Sequence, residues 1–241
     1  MHDESNSLIE HHELDPSVFD RFAEILDSRL MPGVTGLEGT PFAGKTTLAA
    51  NLASKIGACV IPEHTDFDLH ARRLALSPWP EDPSAATARQ AYFYLVERRR
   101  VRAATRATAK GFPVVMDRTA LSIIAYSLTR AATGRGGLPG DLSDLKIIAD
   151  DPGICFPETL YLLRTSADIV LTRAMKLSAA GTPREIESYL LDTLTLKLLD
   201  SFYEKITSRL RRCKVIVQCF PTATSEMDGH MSPSLFSENP S

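Results

Sequence analysis

The spacing of apolar and polar positions changes several times along the chain, and each change marks an element. Val18, Phe19, Phe22, Ile25, Leu26 and Leu30 recur three and four residues apart, the spacing of one helix face, and predict a helix over residues 16–30. Asp15 and Pro16 precede it as an N-cap followed by proline at the first helical position, where a missing N–H does no harm. Residues 34–38 then read as a short buried strand, followed by a glycine-rich turn and a second helix. Four further apolar runs, at residues 58–61, 113–116, 159–163 and 214–219, are each separated by a long helical segment. Strands that alternate with helices predict a five-stranded parallel sheet covered on both faces, an α/β three-layer sandwich.

Between these elements the sequence is polar. Residues 1–14 read as loose, residues 133–151 as a glycine- and aspartate-rich loop or short helix, and the tail beyond Pro221 as turn-rich. The expected organisation is a polar segment and helix over 1–32, a main domain over 33–226 and a flexible tail over 227–241. A chain of 241 residues that is 44% hydrophobic can bury one full core. Its net charge of −3 provides no basic field, so nucleic acid is not an expected partner. The four cysteines, Cys59, Cys155, Cys213 and Cys219, show neither zinc spacing nor a secreted disulfide pattern. Three of them lie in or beside runs read as core strands. A reducing compartment fits that usage, and no apolar stretch approaches the ~20 residues of a membrane span. The expected setting is cytoplasmic, away from membranes.

The chemistry begins at GTPFAGKT, residues 39–46, which satisfies GxxxxGK[ST] at every fixed position. An apolar strand precedes it and an uninterrupted helix follows, the order a phosphate-binding loop requires. Successive backbone N–H groups and the positive end of the helix dipole can converge there on a chain of phosphates. Gly39, Thr40, Pro41, Phe42, Ala43, Gly44, Lys45, Thr46 and Thr47 are therefore the candidate phosphate contacts, with ATP as the ligand. Lys45 would reach the β and γ phosphates, and the Thr46 hydroxyl would ligate Mg²⁺. The alternative is a glycine turn capping an ordinary helix. In VVMDR, residues 114–118, a hydrophobic strand ends in an acid, so Asp117 is the second candidate for Mg²⁺. The plainer reading of Asp117 is a cap for the next helix. Arg118 follows as a fork-shaped donor for phosphate oxygens.

DRTALSIIAYS, residues 117–127, resembles the DRY...S..AYQ segment of thymidylate kinases, with matches at Asp117, Arg118, Ser122, Ala125 and Tyr126 and departures at Thr119 and Ser127. The same stretch resembles the ERS..S motif of deoxyribonucleoside kinases, with Asp117 for glutamate and Thr119 for serine. Thymidylate kinases usually carry an acidic residue in the phosphate loop where this chain has Pro41. VIPEHTDF, residues 60–67, resembles the strand-end E-P motif of deoxyribonucleoside kinases, although His64 stands at the proline. That resemblance implies that Glu63 is the general base for an acceptor hydroxyl; the bland alternative is an exposed strand-end acid. Gln90 with Tyr92 resembles the FQ.Y segment that holds the base, and an arginine near Arg98 is shared by both families. The same helix carries the basic cluster Arg98, Arg99, Arg100, Arg102 and Arg106; positions 99, 102 and 106 fall on one face, 98 points elsewhere, and most of this charge reads as a solvated face. Trp79 is either an acceptor-pocket residue or core.

Residues 161–190 resemble the strand, helix and short helical lid of both families, with Arg173 matching an arginine at the start of the lid. Lys176 and Arg184 are further candidates for ATP phosphates, and residues 217–226 fall where related kinases place a loop against adenine. The resemblance spans residues 33–226. It implies a P-loop NTPase fold and an ATP- and Mg²⁺-dependent, thymidylate kinase-like enzyme that phosphorylates a nucleoside or nucleoside monophosphate. The catalytic set would be Lys45, Glu63, Arg118 and Arg173. Glu63, Gln90, Arg98 and Tyr126 would bind the acceptor, with Thr46 and Asp117 at the metal. The expected partner is a small nucleoside- or nucleotide-like molecule, with a homodimer as one option. Kinases of other small molecules, such as an antibiotic or a cofactor precursor, and an NTP-hydrolysing switch are the alternatives, because a fold hosts many functions.

Overall fold

The structure, a computed structural model, describes residues 15–77, 79–134, 143–179 and 192–219. Helix α1 (Pro16–Ser28) begins where the sequence places it: the Asp15 side chain accepts from Ser17 N at 2.9 Å. Strand β1 (Leu30–Gly39) leads into helix α2 (Lys45–Ile56), then strand β2 (Cys59–Ile61) and two short helices, α3 (His64–Phe67) and α4 (Leu69–Leu76). The long helix α5 (Pro83–Thr108) precedes strand β3 (Val114–Asp117), helix α6 (Ala120–Ala132) and helix α7 (Ser143–Asp150). Strand β4 (Phe156–Arg164), helix α8 (Ala167–Ala179), helix α9 (Thr193–Thr207) and strand β5 (Lys214–Cys219) complete it.

The five strands are ordered β2-β3-β1-β4-β5 and all pair in parallel. From β1 the chain leaves toward β2, whereas from β3 it crosses to β4 on the other side. The carboxyl ends of β1 and β3 therefore flank the crevice where open α/β sheets bind ligands. Period-two alternation along the strands divides the core. Leu37, Val115 and Leu163 pack with Leu48, Ala49 and Leu52 of α2. Val34, Val114 and Met116 pack with Val101 and Ala104 of α5, while Leu160 and Leu162 meet α6 and α9. Phe19, Phe22 and Leu26 of α1 belong to that last cluster, so the N-terminal helix is part of the main core.

Two expectations are corrected. Strand β1 starts at Leu30, which pairs with Phe156, and α1 stops at Ser28; the register shifts between Met31 and Thr35, around Gly33 at φ +72°. Of the four cysteines only Cys213 is buried, and Cys59 and Cys219 are exposed. Both lie on edge strands, whose apolar runs are only half covered. Residues 1–14, 135–142 and 220–241, and hence the expected tail and adenine loop beyond Cys219, lie outside the described residues. No described helix is long and apolar enough to cross a membrane.

Candidate functional site

The loop after β1 is shaped by backbone. Gly39 has φ +138°, and a Cβ there would come within 2.2 Å of Leu163 O, so only glycine fits beside β4. Gly44 caps α2 at φ +95° with no side-chain hydrogen bond, which leaves the positive end of the helix dipole facing the loop. Phe42 takes φ +57°, a conformation costing about 1–2 kcal/mol for a residue with a Cβ. Arg173 of α8 donates to Phe42 O at 2.8 Å, tying the start of the expected lid to the loop.

Lys45 is buried and folds back on the loop, its Nζ donating to Gly39 O at 3.0 Å and Thr40 O at 2.7 Å. Burial, then the positive charge of Arg118, lower its pKa to about 7, against the pull of Asp117, Glu63 and Glu38. Bound phosphates would supply the anion that this ammonium lacks. The Thr46 hydroxyl donates to Asp117 Oδ2 at 2.7 Å, which joins the two predicted metal residues from separate elements. Asp117 Oδ1 is buried without a hydrogen-bond partner. One orphaned carboxylate oxygen beside a hydroxyl fits Mg²⁺, which takes one or two protein ligands and completes its shell with water and phosphate oxygens. Among the described residues no cluster of three or more His, Cys, Asp or Glu side chains could hold a metal on its own.

Across the crevice, Arg118 is the hub. Its Nε donates to Glu63 Oε2 at 2.8 Å, and its Nη1 reaches Gly39 O at 3.3 Å, Ser122 Oγ at 3.1 Å and Tyr203 OH at 3.4 Å. The guanidinium carbon lies 5.3 Å from the ring centroid of Tyr126. One side chain thus joins the expected base, the phosphate loop and an expected acceptor residue. Burial acts to raise the Glu63 pKa, but the charge and hydrogen bond of Arg118, with Lys45, hold it down at about 2. Glu63 is ionised at neutral pH. Arg118 itself sits at φ +66°, a backbone strain of about 1–3 kcal/mol that the surroundings must hold.

Beneath Arg118 lies Glu38, fully buried. It accepts from Thr119 N and Oγ1, both at 2.7 Å, from Ser122 N at 3.2 Å and from Ser122 Oγ at 2.6 Å. Burial pushes its carboxyl above the usual range, against Arg118 and these donors. The contacts fix the start of α6 and hence the direction of Arg118. In the sequence Glu38 reads simply as the last residue of the strand; the signal that marks it is an acid inside an apolar run just before the glycine-rich turn.

The remaining expected residues are distributed unevenly. Gln90 is buried and its amide is occupied: Nε2 donates to Asp144 Oδ1 at 2.7 Å, and Oε1 accepts from Arg130 at 3.0 Å. Trp79 packs on two guanidiniums, with Arg130 at 3.6 Å and Arg89 at 4.4 Å from its ring centroid. Arg98 is not brought to the crevice; it pairs with Asp151 at 3.7 Å and packs against Gly153. Its helix instead directs Arg100 there, two positions on. Arg100 was counted with the solvated charge, yet it is fully buried and donates to the carbonyls of Asp117 and Arg118. Glu97, Arg100, Val101 and Ala104 share a buried face of α5, and that helical spacing was the signal. Arg184 lies outside the described residues.

No family model and no curated protein matches the chain. Among solved structures it is similar to deoxyadenosine kinase from M. mycoides. With dCTP bound, that structure gives a TM-score of 0.57 at 15% identity over 77% of this chain and 89% of that one. With dATP the values are 0.58, 15%, 77% and 90%. With the products dCMP and dCDP they are 0.55, 16%, 77% and 89%. At such identity the likeness concerns architecture: the five-stranded parallel sheet with its flanking helices has the P-loop kinase fold of those deoxyadenosine kinases.

Proposed function

We propose that the protein is an ATP-dependent kinase that transfers the γ-phosphoryl group to a hydroxyl of a nucleoside. The observation that carries this reading is the Glu63–Arg118 pair at 2.8 Å, at the mouth of a phosphate loop whose Gly39 carbonyl Arg118 also reaches. An ionised carboxylate facing the loop suits an acceptor that must lose a proton. It repels an acceptor that is itself a phosphate dianion. A second arginine beside Arg118 would be needed to clamp such a monophosphate, and Arg98, the one expected at the acceptor, pairs with Asp151 instead. A nucleoside is therefore favoured over a nucleoside monophosphate, and the fold shared with deoxyadenosine kinase supports the same class.

In this reading the loop amides and the Lys45 ammonium grip the β and γ phosphates, and Arg173 holds the far side of the loop through Phe42 O. Thr46 and Asp117 would hold Mg²⁺, which would neutralise charge on the phosphate oxygens when bound. The acceptor hydroxyl displaces part of the Glu63–Arg118 contact. Glu63 Oε orients that hydroxyl and accepts its proton as the oxygen attacks, and the freed end of Arg118 meets the equatorial oxygens of the transferring group. Little covalent work is left to the protein, so positioning and electrostatics supply most of the acceleration.

The test is ATP consumption measured with a panel of nucleosides, nucleoside monophosphates and unrelated hydroxyl compounds. Consumption that depends on a nucleoside, with a nucleoside monophosphate as product, is the expected result. Transfer only to monophosphates would reverse the acceptor assignment, and transfer only to an unrelated compound would move the protein to another class of small-molecule kinase. Hydrolysis at the same rate with no acceptor would make it an NTP-hydrolysing switch.

A further inference from the structure

Four of the five N–H donors of Arg100 are given to acceptors inside the protein, and the fifth faces His64. Nε donates to Pro62 O at 2.9 Å, and Nη2 donates to Asp117 O at 2.7 Å and Arg118 O at 2.8 Å. Nη1 donates to Glu97 Oε2 at 2.5 Å and lies 3.0 Å from His64 Nε2, which is itself 3.0 Å from Glu97 Oε2. With the guanidinium fully buried, none of these donors is turned toward the crevice for a ligand. Arg100 and Glu97 are fully buried and His64 nearly so. A carboxylate beside the guanidinium is the condition under which that charge can be buried at all.

The partners of this cluster have a pattern that packing alone does not require. Pro62 and His64 flank Glu63 in sequence, and Asp117 and Arg118 are the expected metal ligand and the guanidinium that holds Glu63. The cluster therefore holds the backbone just before the base at Pro62 and the side chain just after it at His64, and grips the end of β3 at the strained Arg118. The direct Glu63–Arg118 contact must loosen when an acceptor hydroxyl enters between them. The Arg100 contacts lie behind the strand ends and need not change.

We propose that the buried His64–Glu97–Arg100 cluster is a positioning clamp that sets the spacing between Glu63 and the Asp117–Arg118 strand end, and holds it while the Glu63–Arg118 contact opens for substrate. This rests on the kinase reading of the crevice. The clamp residues touch nothing in residues 39–47, whose shape comes from β1 and α2; they reach that loop only at one remove, through Asp117 on Thr46 and Arg118 on Gly39 O. The clamp should therefore govern turnover far more than the grip on ATP.

Two variants test it. Arg100→Lys keeps the charge but cannot span three carbonyls, and Glu97→Leu combined with Arg100→Met removes the ion pair without leaving a lone buried charge. In the folded variants kcat is expected to fall at least ~10-fold, since misplacement by about 1 Å can cost 10²-fold. The loss in kcat should exceed any loss in affinity for Mg·ATP by calorimetry at least about fivefold, a split between turnover and donor binding that general loosening would not give. Amide hydrogen exchange over residues 64–67 and 118–121 should quicken at the same time. Unchanged kcat in either folded variant, or equal losses in kcat and ATP affinity, overturns the clamp. If the wild-type protein transfers phosphoryl to no acceptor, the kinase reading fails by itself. The clamp is then judged by exchange, and unchanged protection of those two segments overturns it.

Discussion

The two walls of the crevice are built on different principles. The wall proposed for the phosphate donor is one continuous stretch, residues 39–47, in which main-chain groups would do the holding and glycines permit the shape. The wall proposed for the acceptor is assembled from Glu38 on β1, Glu63 after β2, Arg100 on α5, Arg118 after β3, Ser122 on α6 and Tyr203 on α9, in one web of hydrogen bonds. The first wall gains its specificity from a local conformation. The second gains it from side chains that only the finished sheet brings together, so each is coupled to several others. Substitutions should therefore act singly on the donor wall and propagate on the acceptor wall.

The largest effect is expected from the only donor-wall group that acts through a side-chain charge. Lys45→Ala should lower kcat/KM by at least ~10³-fold, more than the loss of a single neutral donor because a full charge on the phosphates disappears. The folded protein should survive, since burial already works against this ammonium. Steady-state turnover alongside a thermal melt checks both halves. Full activity would mean that the loop's amides suffice and that no side-chain charge contributes on that wall.

A smaller loss is expected on the acceptor wall, with a different kinetic signature. Glu63→Gln keeps the shape and removes the proton acceptor, so kcat toward a hydroxyl acceptor should fall by ~10²–10⁴ while the Kd for Mg·ATP is unchanged. An equal fall in ATP affinity would show that the two walls are not separable. An unchanged kcat would retire Glu63 as base.

This division also decides what the sequence discloses. The order of strands and helices was legible because period-two and helical spacings are local, and GTPFAGKT was legible because its chemistry is contiguous. Asp117 and Thr46 could be paired in advance, since each follows a recognisable local pattern. Arg98 and Arg100 show the limit. Both are arginines in one basic run, and only the rotation of α5 against β3 turns Arg100 inward and leaves Arg98 on Asp151. Glu38 was hidden for a related reason: an acid in a strand becomes informative only once Thr119 and Ser122 are known to aim donors at it. The cysteines on the edge strands erred in the opposite direction, because an apolar run does not reveal whether a neighbouring strand covers it.

The gentlest probe of the comparison is acid. The donor wall is mostly amides, which do not titrate, whereas the acceptor wall depends on Glu63, whose pKa falls from an ordinary 4.5 to about 2 through Arg118. A carboxyl depressed in the folded state binds fewer protons there than in the unfolded chain at any pH between those values. Its stabilising contribution is therefore complete above about 4.5 and disappears as pH falls toward 2. Glu63 is a quarter exposed, so solvent screening trims the contribution to about 1–2 kcal/mol. Other carboxylates also lose their partners in that range, which makes the useful quantity the difference between wild type and Glu63→Gln. Urea unfolding at stepped pH should show wild type the more stable at pH 6, with the gap closing between pH 4.5 and pH 2. A gap that stays constant through that window would mean that Arg118 does not hold the Glu63 charge, and the acceptor wall would lose the contact that joins its two strand ends.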